Sequence, residues 1–555
     1  MTKKLFALVL ALSLLSGCAL AAPEYMNMDS ELPIVKDGET VTIRLVSAQQ
    51  DAYPSNPEDI WLWEYMRQAM NIDLQVEHVL QSAADERLNL MMVSGDLPDI
   101  LVGFNLDTNE LVRYGQVEGQ LLDISPYLTE EYAPNMLKMF EQFPEILPLI
   151  TAPDGGIYSV FGYISDVGHG PKLFIKESYL EEKGLAMPTT LDEFTEVLRA
   201  FKADYPDSTP LGGAENGSDP RAWLMTAMGY ITTDNIGLSP ALRNGEVVIP
   251  AADETYLEFL KLLNMYFNEG LISPDFFTLD STAVNAQMAG GQNVASATGA
   301  PFLQLPNMED YIQWSHAIPV TSEWNDTPIY VQGSTVNIGS MVFSANTEHP
   351  ELLVRIADYF FSNEGGLYKW NGPWSQSEDT LGMIGGWTFE EGSNTVYYFE
   401  DVESGAYPST FAAIVSTIAP WGTSEGFGYR KDLNDASHGS VWLMQEMAGL
   451  ETVGKVYRED YGDDYWRMTR DENALPYLTA AYPYITYYSE DDALRINELS
   501  TILEPHIRTE TAKFITNARP LEEFELYLTE LKDLGVEELL DYYTAAYEAY
   551  LASMA

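Results

Sequence analysis

The chain has 555 residues with 29 Lys+Arg, 84 Asp+Glu and a single cysteine, and 46% of it is hydrophobic. That length and apolar content support two to four packed domains and exclude a disordered or fibrous chain. One cysteine makes no internal disulfide and no cysteine-based zinc site, and a formal charge of -55 leaves no basic surface for a large nucleic-acid interface.

The first segment is MTKKLFALVLALSLLSGC, with Lys3 and Lys4 ahead of an apolar run from Leu5 to Leu15. Such a run reaches only ~16 Å as a helix, about half a bilayer core, so 1–17 reads as a signal peptide and not as a span. Leu15-Ser-Gly-Cys18 resembles the bacterial lipobox, which implies cleavage before Cys18, lipidation of that residue and a flexible tether over 18–38. Loss of 1–17 leaves 27 basic against 84 acidic residues.

Beyond the tether, Val41, Ile43 and Leu45 alternate with polar residues and predict a strand; Ile60, Trp63, Met66 and Met70 follow at helical spacing. Ile72, Leu74 and Val76 predict a second strand. Ala84, Leu88, Met91 and Met92 mark a helical face, and Asp99 to Gly103 a third, buried strand. This alternation is the signature of parallel βαβ units, whose ligands sit at the carboxyl ends of strands. A second such region opens at Leu173-Phe-Ile175, followed by a helix from Leu191 with Thr190 and Glu193 as a capping box. Between the two regions Gly155, Gly156, Gly162, Gly168 and Gly170 read equally as a hinge or as ordinary loops. The chain closes with amphipathic helices over Pro520–Gly535 and Val536–Leu551, whose tyrosine stripe reads as packing.

Known catalytic signatures are missing. The six histidines form no HExxH, and there is no GxSxG elbow, Walker loop, intact GxGxxG or EF-hand string. Acid runs such as Glu490-Asp491-Asp492 read as solvated faces. Aromatic residues are abundant, and several Trp fall in polar, glycine- or proline-marked stretches: Trp223, Trp370, Trp374, Trp387 and Trp421. A pyranose offers an apolar face to a ring and hydroxyls to nearby amides and carboxylates, so a few of these Trp are expected in a sugar cleft and the rest as caps on the core.

Leu90-Met-Met-Val-Ser-Gly-Asp-Leu-Pro-Asp-Ile100 and Gly119-Gln-Leu-Leu-Asp-Ile-Ser-Pro-Tyr127 are similar to the N-lobe pattern of extracellular solute-binding proteins of family 1, which serve ABC sugar importers. Leu173-Phe-Ile-Lys-Glu-Ser-Tyr-Leu180, Pro188-Thr-Thr-Leu-Asp-Glu-Phe194 and Asn268-Glu-Gly-Leu-Ile-Ser-Pro274 resemble its second lobe, and Lys513-Phe-Ile-Thr516 with the closing helices resembles its large lipoprotein subgroup. Together these cover about 40 to 550. The resemblance implies a two-lobed α/β clamp of the type II periplasmic-binding-protein kind with a helical C-terminal extension. Its lobes are expected at 39–160 plus 321–375 and at 161–320 plus 376–555. The Asp/Asn-rich calcium loop of polymer-binding relatives is shortened here to Lys202–Pro210, so no metal and no cofactor is expected. Asn517-Ala-Arg519 also departs from the glycine that usually follows the Phe-Ile-Thr motif.

The expected role is that of a non-enzymatic, monomeric, lipid-anchored protein on the outer face of a bacterial cell membrane. It would capture an oligosaccharide by lobe closure about segments near Tyr158–Tyr163 and Ala317–Val320 and pass it to an ABC permease. The expected ligand residues are Gln49 and Tyr53 after the first strand, Tyr163 at the hinge, and Trp223, Trp374, Trp387 and Trp421 as stacking platforms. The acidic excess disfavours uronates unless a local cation such as Arg221 intervenes. A surface glycoside hydrolase or lyase, or a ligand-sensing or peptide-binding lipoprotein, are the alternatives.

Overall fold

The computed structural model describes residues 22–51, 54–164, 170–301, 304–305, 307–374, 381, 387–389, 396–398, 414–420, 423, 426–430 and 462–554. The chain opens with β1 (Thr42–Gln49), α1 (Trp61–Ala69), β2 (Asp73–Leu80), α2 (Ala84–Ser94) and β3 (Ile100–Val102). β1 lies parallel to both β2 and β3, with Gln49 opposite Leu80 at its carboxyl end. Helix α3 (Pro134–Gln142) then leads to β4 (Val160–Ile164).

The chain next builds a second sheet from β5 (Leu173–Lys176), β6 (Leu211–Gly212), β7 (Ala295–Ala297) and β8 (Trp314–His316). Around it lie α4 (Leu191–Asp204), α5 (Arg221–Thr226) and α6 (Tyr256–Asn268). The expected capping box is present at α4: Thr190 accepts from the Glu193 backbone N–H and Glu193 reaches back. The order in this sheet is β8-β5-β7-β6.

The return to the first lobe is made by β9 (Val336–Phe343), which runs antiparallel between β3 and β4, followed by α7 (Pro350–Tyr359) and α8 (Asn363–Asn371). A later strand, β10 (Gly428–Arg430), adds in parallel to β4 and completes the order β10-β4-β9-β3-β1-β2. The chain ends with α9 (Gly462–Asn473) against β8, then α10 (Glu490–Ile515), α11 (Phe524–Asp533) and α12 (Val536–Met554). The fold is a two-lobed, type II periplasmic-binding-protein-like α/β clamp with a helical C-terminal region.

Strand alternation explains why the first sheet is covered on both faces. Ile43, Leu45, Ile100, Val102, Met341 and Phe343 join one core, with Trp63 and Phe161. Val46, Ala48, Leu101 and Val342, one residue out of step, join another with Leu88 and Met91 of α2. A separate core holds Phe194, Leu198, Tyr256 and Tyr266 of the second lobe together with Leu503, Phe514, Tyr527 and Leu539 of α10 to α12. The acid run at 490–492 occupies the first turn of α10, which Ser489 caps by accepting from the Asp492 backbone N–H; negative charge is favourable at that end of a helix.

Two expected boundaries differ from this arrangement. Met26, Ile34 and Val35, inside the segment expected to be a tether, are buried in the first core, and Met26 bridges Val35. Burial of those three apolar side chains fixes the second half of that segment to the lobe. The described stretches 414–420 and 426–430, expected in the second lobe, pack into the first: β10 pairs with β4, and Ile418 and Phe427 join its core.

Among the described residues, three chain segments meet where the lobes touch. A Cβ on Gly170 would lie 1.9 Å from the Val331 carbonyl, so only glycine fits at that crossing. Tyr330–Val331 in turn pairs in parallel with Leu478–Thr479, and the Gln332 N–H donates to the Thr479 carbonyl at 2.8 Å. Past that point Ile485 and Tyr487 pack on the first core while Tyr482 and Tyr488 pack on the second.

Candidate functional site

A cleft of about 930 Å³ opens where β1 and β2 end, the location an α/β sheet favours for ligands. Its floor is Gln49, the last residue of β1, whose side chain is 7% exposed. The Gln49 amide oxygen accepts from the Ser55 backbone N–H and from the Ser55 hydroxyl, both at 2.9 Å, and its NH2 donates to the Ser55 carbonyl at 3.2 Å. His78 of β2 makes the second wall. Its Nε2 accepts from the Trp63 indole N–H at 3.0 Å, which leaves Nδ1 to donate to the same Ser55 carbonyl at 3.0 Å.

The loop held by these contacts presents Asn56 and the turn Pro57–Asp59, where the Asn56 amide donates to Asp59 at 3.0 Å. The opposite wall is a single π-helical turn, Ile414–Ile418, with Val415 and Ile418 buried and Ser416 and Thr417 facing the cleft. The lining therefore offers amides, hydroxyls and a single carboxylate, with no Lys or Arg among its described residues. Burial lowers the His78 pKa, against the opposing pull of the Ser55 carbonyl, so the imidazole is neutral at pH 7.

Of the expected ligand residues, the structure brings Gln49 to this cleft. Tyr163 does not reach it: the ring is buried in the first core, stacked on Phe143 at 4.3 Å and edge-on to Tyr429 at 5.4 Å. Trp223 is likewise core, 3% exposed and packed on Phe194 in the second lobe. Trp374 is half-buried just past the end of α8, whereas Trp370 is buried in the first core. Trp387 opens a short strand paired with Val396–Tyr398, and its side chain lies outside the described residues, as do Cys18, Tyr53 and Trp421.

Arg221 is not available to an anionic ligand. It is 1% exposed, and its guanidinium donates to Asp219 at 2.6 Å and Glu215 at 3.0 Å; Arg508 meets the same Glu215 at 3.1 Å. Among the described residues no cluster of three or more His, Cys, Asp or Glu is arranged to hold a metal ion, and no helix is long and apolar enough to cross a membrane. Sequence reasoning missed His78, Ser55, Asn56, Asp59, Ser416 and Thr417. The position of Ser55-Asn56-Pro57 just past the first strand was the available signal; nothing local marked Ser416 and Thr417.

Residues 51–367 match the family model described as bacterial extracellular solute-binding protein. A curated relative, the fructooligosaccharide ABC transporter substrate-binding protein FusA of Streptococcus pneumoniae, is 26% identical over 298 residues, 50% of this chain and 54% of that protein. The polygalacturonan/rhamnogalacturonan-binding protein YtcQ of Bacillus subtilis is 26% identical over 204 residues, 37% of this chain and 38% of its own. The match to FusA thus spans about half the length of that relative. The solved structure of S. pneumoniae FusA in complex with kestose covers 92% of this chain and 99% of its own at a TM-score of 0.68 and 19% identity, a likeness of fold.

Proposed function

Because this chain belongs to the bacterial extracellular solute-binding proteins, we propose that it captures a neutral oligosaccharide in the cleft at the ends of β1 and β2. In this reading it holds the sugar by lobe closure and hands it to an ABC importer without chemical change. Lipidation at Cys18 anchors it outside the cell, and Tyr53, Trp374, Trp387 and Trp421 remain its candidate stacking rings. Its lobes are 39–160 with 321–375 and 161–320 with 376–555, except that 414–420 and 426–430 belong with the first.

The observation that carries this reading is the charge and polarity of the lining. Gln49, Asn56, Ser416 and Thr417 supply donors and acceptors for hydroxyl groups, while the single carboxylate, Asp59, faces no Lys or Arg in the cleft. A sugar acid would bring further negative charge to a surface already short of cations, at a cost of order 1 kcal/mol per like-charge contact near water. Family relatives include binders of both kinds, a fructooligosaccharide-binding protein and a polygalacturonan-binding one, and the lining favours the first.

Calorimetry with kestose and with an oligogalacturonide of similar length tests this. Saturable binding of kestose with no new product after overnight incubation is the expected result. Tighter binding of the oligogalacturonide overturns the neutral-sugar reading, and steady turnover of either sugar overturns the transport role.

A further inference from the structure

Ser55 carries an unusual share of the polar contacts around the cleft. Its backbone N–H, hydroxyl and carbonyl are all bound by Gln49, and the carbonyl also takes the Nδ1–H of His78. The last contact exists only for one form of the ring. Because the Trp63 indole can donate and never accept, His78 Nε2 must carry a lone pair, and the proton must sit on Nδ1. An added proton at Nε2 sets two N–H donors against each other at 3.0 Å, and the ring has to turn away from Trp63 or from Ser55.

We propose that His78 is a positioning residue for the cleft: its neutral ring, with Gln49, clamps Ser55 and so sets the wall that a ligand meets, and protonation of the ring loosens that wall and weakens ligand binding. The inference rests on the sugar-capture reading for the identity of the ligand, but not for the clamp itself.

The surrounding charges do not supply an alternative trigger. On the elements packed around the ring, Asp51 binds Ser82, Asp59 is bound by Asn56, and Glu64 and Glu58 lie 3.2 and 3.9 Å from Arg67. Glu77, its neighbour on β2, pairs with Arg87 at 3.0 Å. Ser416 and Thr417 across the cleft are uncharged. The ring's pKa is lowered by burial and raised in part by the Ser55 carbonyl, with no contribution from these carboxylates.

Hydrogen exchange of the Ser55 and Asn56 amides, measured in the full chain without ligand and corrected for intrinsic rates, reads the clamp directly. Between pH 7.5 and 5.0 protection at Ser55 is expected to fall about tenfold, the worth of one buried hydrogen bond. His78→Gln, whose amide can accept from Trp63 and donate to Ser55 at any pH, is expected to be flat. Trp63→Phe removes the opposing donor, so the protonated ring can keep its Nδ1–H on the Ser55 carbonyl and protection is expected to stay flat with pH in this variant too. A flat wild type, or a His78→Gln chain as acid-sensitive as the wild type, overturns the proposal. If His78→Gln fails to fold, a Trp63→Phe chain as acid-sensitive as the wild type does the same. Kestose titrated in parallel separates the two readings: a clamp that behaves as expected with no kestose heat at pH 7.5 removes the sugar assignment alone, whereas kestose affinity that is equal at both pH values removes the coupling.

Discussion

Arg221 and Trp223 show why a polar-looking stretch of sequence need not face solvent. Ser218-Asp-Pro-Arg-Ala-Trp223 reads as an exposed loop because it holds two charges and a proline. In the fold Asp219 and Arg221 neutralise each other at 2.6 Å, with Glu215 as a second acceptor, and that pairing lets Trp223 sink into the second core beside Phe194. A charge pair of this kind is costly to break on one side, because the partner stays buried and uncompensated. The contrast between core and cleft is measurable. Trp223→Ala should lower stability by about 3–5 kcal/mol in urea unfolding, and the folded fraction should bind kestose with wild-type affinity. A large affinity loss at unchanged stability restores Trp223 as a stacking platform.

At the scale of elements, α3 shows how one helix depends on another. Its N-cap residue, Ala133, has no hydrogen-bonding side chain, and the first-turn amides of Asn135 and Met136 instead donate to Asp358 of α7 at 2.9 and 2.8 Å. Burial pushes the Asp358 carboxyl up to about 6 from 3.8, against the pull of those amides. With the folded pKa raised, the fold prefers the protonated acid, so the group's contribution is fully present below pH 3.8 and is lost as the pH rises through 6. The amount is about 3 kcal/mol for a shift of this size. Asp358→Asn keeps an acceptor and removes the titration; its unfolding free energy should lack that decline between pH 4 and 7. Coincident pH profiles of the two proteins contradict the assignment. A cross-element cap like this was illegible in the sequence, since 222 positions separate Asp358 from Met136. What was legible is local: the period-two runs at Ile43 and Leu74, and the capping box at Thr190, need only neighbours to form. β9 and β10 were not, because VNIGSMVF and GYR become strands only by inserting beside β3 and β4. His78 fails the same test, as its partners Trp63 and Ser55 meet it only through the register of β1 on β2.

For the whole molecule, the proposed closure of the clamp has to be accommodated where the lobes are joined, and that junction has little slack. Gly170 touches the Val331 backbone, residues 330–332 pair with 478–479, and the stretch that follows places Tyr487 on the first lobe and Tyr488 on the second. The third of these passages was not foreseen from the glycine cluster at 155–170, because nothing local in the stretch from Leu478 to Ser489 marks a crossing between lobes. A side chain at Gly170 cannot share space with the Val331 carbonyl, so Gly170→Val must part those two segments and bias the angle between the lobes. If it disfavours the ligand-competent angle by as little as about 1.4 kcal/mol, the apparent affinity falls about tenfold with no ligand contact altered. The expected outcome is a changed radius of gyration for the free protein in X-ray scattering, a smaller compaction on adding kestose, and an affinity about tenfold weaker. Scattering curves and binding isotherms that superimpose on the wild type exclude the Gly170 crossing from the hinge and leave the 478–489 passage to carry the motion.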